Sequence, residues 1–274
     1  STLERARRAL SPLLGELGSQ RLTQLSPLHL ARCLEGLRER GLGLRTIQLA
    51  YAHLHTCLEE AKTLGILAQN PLASIPRPKG ERREVRGWSV EEMRRFLRVA
   101  IDDGRPWAIM LAVLLLTGMR VGEALGLRQE DVDLRAATVS IRRSVTWAGK
   151  EWHVGKPKSK SGERVLSLPS LALHLLERLP RDSVHLFWRE RPPTPKQMSD
   201  LMRQLCERAA VPRRPPHYLR HAHASALAAS GLDVKTLQRR LGHAHASVTL
   251  DVYAHALGEM DRRAAELVDR ALGA

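Results

Sequence analysis

Between Ile75 and Arg86 the chain reads Ile-Pro-Arg-Pro-Lys-Gly-Glu-Arg-Arg-Glu-Val-Arg, with two prolines, five basic and two acidic residues and no apolar periodicity. Proline removes a backbone donor and fixes φ, and unpaired charge resists burial, so this stretch can neither continue a helix nor cross a core. It is predicted to be a basic interdomain linker, residues 76–87, separating a unit at 1–75 from one at 88–274. With 274 residues in all, there is chain enough for two cores. Arg77, Lys79, Arg82 and Arg83 are candidate contacts to a phosphate backbone, although a merely solvated linker fits this stretch equally well.

The front unit reads as helices. Ser26-Pro27 pairs a capping residue with proline at the first helical position. Leu30, Cys33, Leu34 and Leu37 follow at helical spacing, and Gly41 stops the run. A further helix begins near Leu44 with Ile47, Tyr51, Leu54, Leu58 and Ala61 on one face, ends at Gly65, and Asn70-Pro71 closes the unit.

In the second unit Ser89 and Glu92 form the spacing of a capping box. A fully apolar helix runs from Trp107 to Gly118. From Thr138 to Leu168 β-branched residues alternate between turn signals at Ala148-Gly149-Lys150 and Ser161-Gly162, which predicts three short antiparallel strands. Helical patterning returns from Ser170. The fold class is therefore mainly α with a small antiparallel β-sheet.

Lys and Arg number 44 against 29 Asp and Glu, a formal charge of +15. Such an excess concerns partners rather than fold, and it points to a polyanion. Aromatics are only 4% of the residues, too few for the stacking platforms of a single-strand binder, so double-stranded DNA is the expected partner. Cys33, Cys57 and Cys206 form no Cys-x-x-Cys pair and read as reduced core thiols of a cytoplasmic protein. The longest apolar run, Trp107 to Leu116, is well short of the roughly 18 residues of a membrane span. No membrane association is expected.

Three segments carry candidate chemistry. In Leu116-Thr-Gly-Met-Arg120-Val-Gly-Glu123-Ala-Leu, Arg120 falls where a new helix starts with unpaired N–H groups, a setting for an anion. An Arg120–Glu123 structural pair explains the same residues. In His217-Tyr-Leu-Arg220-His221, His217 and Arg220 are one helical turn apart. His217 and His221 have the spacing of a zinc pair, but the zincin pattern needs Glu where Tyr218 stands, and no carboxylate supplies a third ligand. No metal site is expected. The third segment runs from Leu241-Gly-His243 to Tyr253-Ala-His255; a tyrosine on an amphipathic helix is by itself as well explained as core filler.

Taken together, these motifs closely resemble those of the tyrosine recombinases, or phage integrase family: Thr-Gly-x-Arg-x-x-Glu-Leu, His-x-Leu-Arg-His, and Leu-Gly-His followed ten residues later by Tyr. The resemblance spans residues 88–258 and extends more weakly to the helical front, which looks like the family's SAM-like core-binding domain. Within residues 1–75 no arm-binding domain of the kind many integrases carry is read. One departure is Ala124 before Leu125, where the family has Leu directly after Glu.

The resemblance implies a site-specific DNA recombinase that cuts and rejoins strands through a 3′-phosphotyrosyl intermediate, with no cofactor, metal or ATP. Arg120 and Arg220 would clamp the nonbridging oxygens, His217 and His243 would add hydrogen bonds, Tyr253 would attack phosphorus, and Glu123 would orient the active-site arginine. Pro157-Lys158-Ser-Lys160-Ser-Gly-Glu-Arg164 matches the family's hairpin pattern and makes Lys158 the acid for the leaving 5′-oxygen. A passive phosphate contact there is the alternative, with Lys156 and Lys160 as neighbouring DNA contacts. The apolar stripe Met260, Ala264, Leu267, Val268, Ala271 and Leu272 belongs to a C-terminal helix at 258–272. It would either pack on its own domain or dock on a neighbour in a homotetramer. Two other classes remain: a non-catalytic DNA-binding protein, which would not need Arg120, Arg220, His243 and Tyr253 together, and a type IB topoisomerase, which relaxes supercoils as a monomer.

Overall fold

The computed structural model describes residues 2–80, 86–148, 150–157 and 162–243, together with Leu250, Asp269 and Gly273. Arg82, Arg83, Lys158, Lys160, Tyr253 and the Met260–Leu272 stripe lie outside the described residues. The chain divides into two compact units, Ser1–Val85 and Arg86–Ala274.

The first unit contains α1 (Thr2–Leu17), α2 (Pro27–Glu39) and α3 (Leu44–Thr63). Ser26 Oγ accepts from the His29 N–H at 3.2 Å and Pro27 opens α2, so the cap acts as its sequence requires. Leu13, Leu30, Leu34, Leu37, Ile47 and Leu58 meet in one core, with Leu54 of the expected stripe only partly buried. The Asn70 side chain donates to Glu59 Oε1 at 2.8 Å and accepts from the Leu72 N–H at 2.9 Å, which fixes the closing Asn-Pro turn. Tyr51 Oη donates to the Ile75 carbonyl at 2.7 Å and Gln48 to that of Pro78 at 2.9 Å. The chain leaving this unit is thus tied along α3, with Arg77 and Lys79 exposed.

Of the three cysteines, Cys33 and Cys206 are buried, but Cys57 is exposed. This corrects the expectation of three core thiols: Cys57 stands at the edge of the α3 stripe, where the helix turns toward solvent.

The second unit begins with α4 (Val90–Asp103), whose Ser89–Glu92 capping box is complete. α5 (Pro106–Thr117) is buried almost all round and forms the centre of the core. α6 (Val121–Leu125) follows, then the strands, then α7 (Ser170–Glu177), α8 (Pro195–Arg208), α9 (Tyr218–Ala229) and α10 (Val234–Leu241). Helices α7, α8 and α9 all pack against α5.

The strands differ in number from expectation. β1 (Val132–Asp133), β2 (Thr138–Ile141) and β5 (Arg164–Ser167) form one antiparallel sheet, and β3 (Ser144–Ala148) and β4 (Glu151–Gly155) form a separate hairpin. The region 138–168 thus holds four strands, not three. The break after Ile141 falls on Arg142-Arg143, where no glycine or proline marks a turn, and Arg143 pairs there with Asp131 at 2.6 Å and Glu130 at 3.1 Å. Among the described residues no helix is long and apolar enough to cross a membrane.

Candidate active site

The site starts where α5 stops. Gly118 ends the helix at φ +71°, and a Cβ there would come within 2.5 Å of the His223 ring and 2.9 Å of Leu241, so only glycine lets α5, α9 and α10 converge. The chain reverses through buried Met119 and delivers Arg120 as the cap of α6. Gly122 lets α6 press on β3, since a Cβ there would meet the Val145 carbonyl at 2.5 Å.

Glu123, one turn into α6, is almost wholly buried and organises the surrounding charge. Its Oε2 accepts from the backbone N–H of Arg120 at 2.9 Å, and its Oε1 from the Arg120 guanidinium at 2.7 Å. Arg164, at the start of β5, donates to the same two oxygens at 3.2 and 3.0 Å. Burial alone would raise the Glu123 carboxyl, but the bonds from Arg164 and Arg120 hold it below the usual carboxylate range. It is therefore an anion shared by two cations.

Arg120 also donates to the Gly242 carbonyl at 3.1 Å. Arg220, in the first turn of α9, donates to the Gly118 carbonyl at 2.7 Å and to that of Leu241 at 2.6 Å. Both arginines are thus fixed on carbonyls at the end of α10, and Arg220 also on the end of α5, where the helix dipoles are negative. Burial pushes the Arg220 guanidinium down to about 9; the charge of Arg120 adds to this, Glu123 opposes it, and Arg164 adds again. Positive charge is in excess at this point.

His243 follows the left-handed Gly242 that ends α10. Its pKa is depressed to about 4, by burial first and then by Arg220 and Arg120, so the ring is neutral at pH 7. His217 stands immediately before α9 and is exposed, its ring centroid 5.9 Å from that of His221. Among the described residues no group of three His, Cys, Asp or Glu side chains is arranged to hold a metal ion.

The structure therefore brings Arg120, Glu123, Arg220 and His243 into one electrostatic neighbourhood, with His217 at the start of the helix that carries Arg220. Lys156 is exposed just after β4. Three neighbours carried no role in the sequence reading. Arg164 closes the Glu123 pair and donates to the Arg240 carbonyl at 2.8 Å. Buried His223 accepts from Arg240 at 3.1 Å, with its other ring nitrogen 3.0 Å from the Leu115 carbonyl. Tyr218 Oη accepts from the Trp88 N–H at 2.6 Å and packs edge-on to the Trp88 ring, an anchor for the chain entering this unit.

Residues 89–260, well over half of the chain, match the phage integrase family. The chain belongs to that family. Over 248 aligned residues it is 27% identical to the ICEBs1 integrase of Bacillus subtilis (strain 168), spanning 85% of this chain and 67% of that protein. The solved structure of the Tn1549 transposon integrase in complex with transposon right end DNA matches at a TM-score of 0.79 and 22% identity, covering 96% of this chain and 94% of that one. A lambda integrase tetramer bound to a Holliday junction matches at a TM-score of 0.66 and 18% identity, covering 90% of this chain and 71% of that one. This tyrosine recombinase is accordingly a DNA strand-transferring enzyme of site-specific recombination, with the mainly helical fold and small antiparallel sheets of its relatives. Neither the topoisomerase nor the non-catalytic reading is favoured by them.

Proposed function

We propose that Arg120 and Arg220 grip the nonbridging oxygens of one DNA phosphate while Tyr253 attacks its phosphorus and leaves a 3′-phosphotyrosyl link. The observation that carries this reading is that Arg120 and Arg220 are held on neighbouring carbonyls at the end of α10, those of Gly242 and Leu241, while Arg120 and Arg164 share the single Glu123 carboxylate. A bound phosphate would offset the excess positive charge of these three arginines, and the added charge of the transition state would offset it further, which is the condition for catalysis rather than tight ground-state binding. Neutral His243 is suited to donate a hydrogen bond to the same group, and His217 to help take the phenolic proton. Glu123 keeps Arg120 oriented. Lys158 protonates the departing 5′-oxygen; cation chemistry is supplied by arginine, so neither metal nor other cofactor enters the step.

Duplex DNA is the partner. Arg77, Lys79, Arg82, Arg83, Lys156 and Lys160 hold its backbone, with 1–75 as the core-binding domain, 76–87 as the linker and 88–274 as the catalytic domain. The lambda integrase tetramer on a Holliday junction supports assembly as a multimer on DNA; docking of the 258–272 segment on a neighbour in a homotetramer is the further part of this proposal. On this reading the protein meets DNA in the cytoplasm, in keeping with three scattered cysteines that form no Cys-x-x-Cys pair.

The test is a denaturing gel of the protein mixed with a nicked duplex carrying its site. The unmodified chain should give a covalent protein–DNA band, and Tyr253→Phe should keep DNA binding and lose the band. A band that survives in Tyr253→Phe and disappears in Tyr218→Phe would move the nucleophile.

A further inference from the structure

Of the described residues, two cations bond to Glu123, and they differ in exposure. The Arg120 side chain is 43% exposed, whereas that of Arg164 is 7% exposed and that of Glu123 is 1%. Arg120 is thus open to a ligand, and Arg164 is sealed behind the carboxylate. Every Arg164 bond that the structure records is directed inward: two to Glu123, one to the Arg240 carbonyl and one to the Gly162 carbonyl at 3.0 Å. A cation buried this deeply is costly, and a hydrophobic residue would fill the space at less cost if packing were its task. Its charge needs a reason.

That reason lies in the net charge offered to a phosphate. Arg120 and Glu123 alone form a neutral pair, which would leave Arg220 as the one uncompensated arginine of this group. Adding Arg164 brings the group of three arginines and one carboxylate to a net charge of two positive units. We propose that Arg164 is a positioning residue for strand cleavage: by sharing the Glu123 carboxylate it frees the charge of Arg120 for the DNA phosphate, without touching DNA itself. The inference rests on the reading that Arg120 binds the scissile phosphate.

Glu123 would then have two tasks that conflict. It fixes the geometry of Arg120 through the backbone N–H and the guanidinium, yet its charge weakens the cation that it aims. Arg164 resolves the conflict, because its own positive field adds to that of the carboxylate and offsets it at the phosphate. The same side chain joins β5 to the end of α10, the segment that leads into His243, so the charge correction is delivered at a fixed place.

The experiment is single-turnover covalent complex formation on a nicked duplex by R164M, R164K, R164Q and the double variant R164M/E123Q, with R120A alongside. R164M and R164Q should cleave about 10- to 100-fold more slowly, somewhat less than the loss of a direct transition-state donor. Their affinity for the duplex should stay within about twofold, since the side chain is sealed from DNA. R164K keeps the charge and gives up the fork onto both Glu123 oxygens, so its rate should fall between that of the unmodified chain and that of R164Q.

The double variant decides the matter. Removing both the buried cation and the carboxylate charge restores the net charge, so R164M/E123Q should cleave faster than R164M, whereas a purely structural role makes it equal or slower. If R164M fails to fold by thermal unfolding, R164Q against R164K carries the same test, and equal rates for the two overturn the proposal. R164M cleaving at the unmodified rate, or R164M/E123Q no faster than R164M, also overturns it. If the unmodified chain gives no covalent complex, or R120A gives it at the unmodified rate, the underlying reading of the site fails as well, and the two failures are told apart by that control.

Discussion

Among the described residues the first unit buries one polar side chain, Asn70, whereas the second buries Glu92, Thr117, Glu123, Asp131 and His223. Both units have an apolar core, so burial of charge is not a requirement of folding here. In the first unit polarity is confined to a turn, where Asn70 satisfies its own bonds at the end of the domain. In the second, Glu123 and His223 stand at the convergence of α5, α6, α9 and α10, where Arg120, Arg164, Arg220 and Arg240 also meet. Glu92 and Asp131 are buried in helix caps and paired with Arg86 and Arg143, whereas Glu123 is buried where it holds the arginines of the site in place. The contrast is between a unit held by packing and a unit that spends some of its packing on an electrostatic site.

The largest effect that would sharpen this contrast is at Glu123. Glu123→Ala strands Arg164 in the interior without its partner and should lower unfolding stability by about 3–5 kcal/mol, measured by denaturant unfolding with the transition midpoint as readout. A loss under about 1 kcal/mol would mean that the pair behaves as a surface ion pair and the comparison fails. A comparable loss of about 2–5 kcal/mol is expected from Leu37→Ala in the first unit, but through a cavity. That variant should weaken DNA binding with little change in the covalent step once DNA is bound, whereas Glu123→Ala should damage both. A Leu37→Ala protein that binds normally and cleaves poorly would blur the division of labour.

Next in size is a dependence on pH that belongs to the second unit. Burial first, and then the charge of Arg240, depress the His223 pKa from 6.5 to about 4. The unfolded chain therefore holds the extra proton between those values. Stability is complete above about pH 6.5 and falls as pH drops toward 4, by up to about 3 kcal/mol. His223→Gln should flatten this part of the pH–stability curve; an unchanged slope would remove His223 as its cause. The smallest effect concerns the caps. Ser26→Ala and Ser89→Ala should each cost about 1 kcal/mol, in the first and second units respectively, and a clear difference between them would show that one cap does more than close a helix.

How far the sequence made this legible depended on whether a feature was local. The Ser26 cap, the Leu30–Leu37 stripe, the Ser89–Glu92 box and the Gly118 helix end are set by residues within a turn or two of each other, and their patterns can be read along the chain. The Arg120–Glu123 pair was legible for the same reason. The Arg164–Glu123 pair was not, because a contact across 41 positions leaves no periodic trace. Arg164 stood in the hairpin pattern without a role, and only the fold brings β5 against α6. The same holds for Arg240 with His223, and for the Trp88–Tyr218 bond. The break between β2 and β3 was not legible because Arg142-Arg143 carries no glycine or proline to signal a turn.

The central claim is that Arg120 and Arg220 act on the nonbridging oxygens of the phosphate that Tyr253 attacks, and it can be separated from acid catalysis by one substitution in the DNA. A sulfur in place of the bridging 5′-oxygen leaves readily without a proton, so it removes the need for an acid and leaves the charge on the nonbridging oxygens as it was. Single-turnover cleavage of matched oxygen and sulfur duplexes should show Arg120→Ala and Arg220→Ala slow on both, while Lys158→Ala is slowed by about 10²- to 10⁴-fold on oxygen and nearly restored on sulfur. Restoration of either arginine variant by sulfur would contradict the account, because that arginine would then serve the leaving group and not the phosphate.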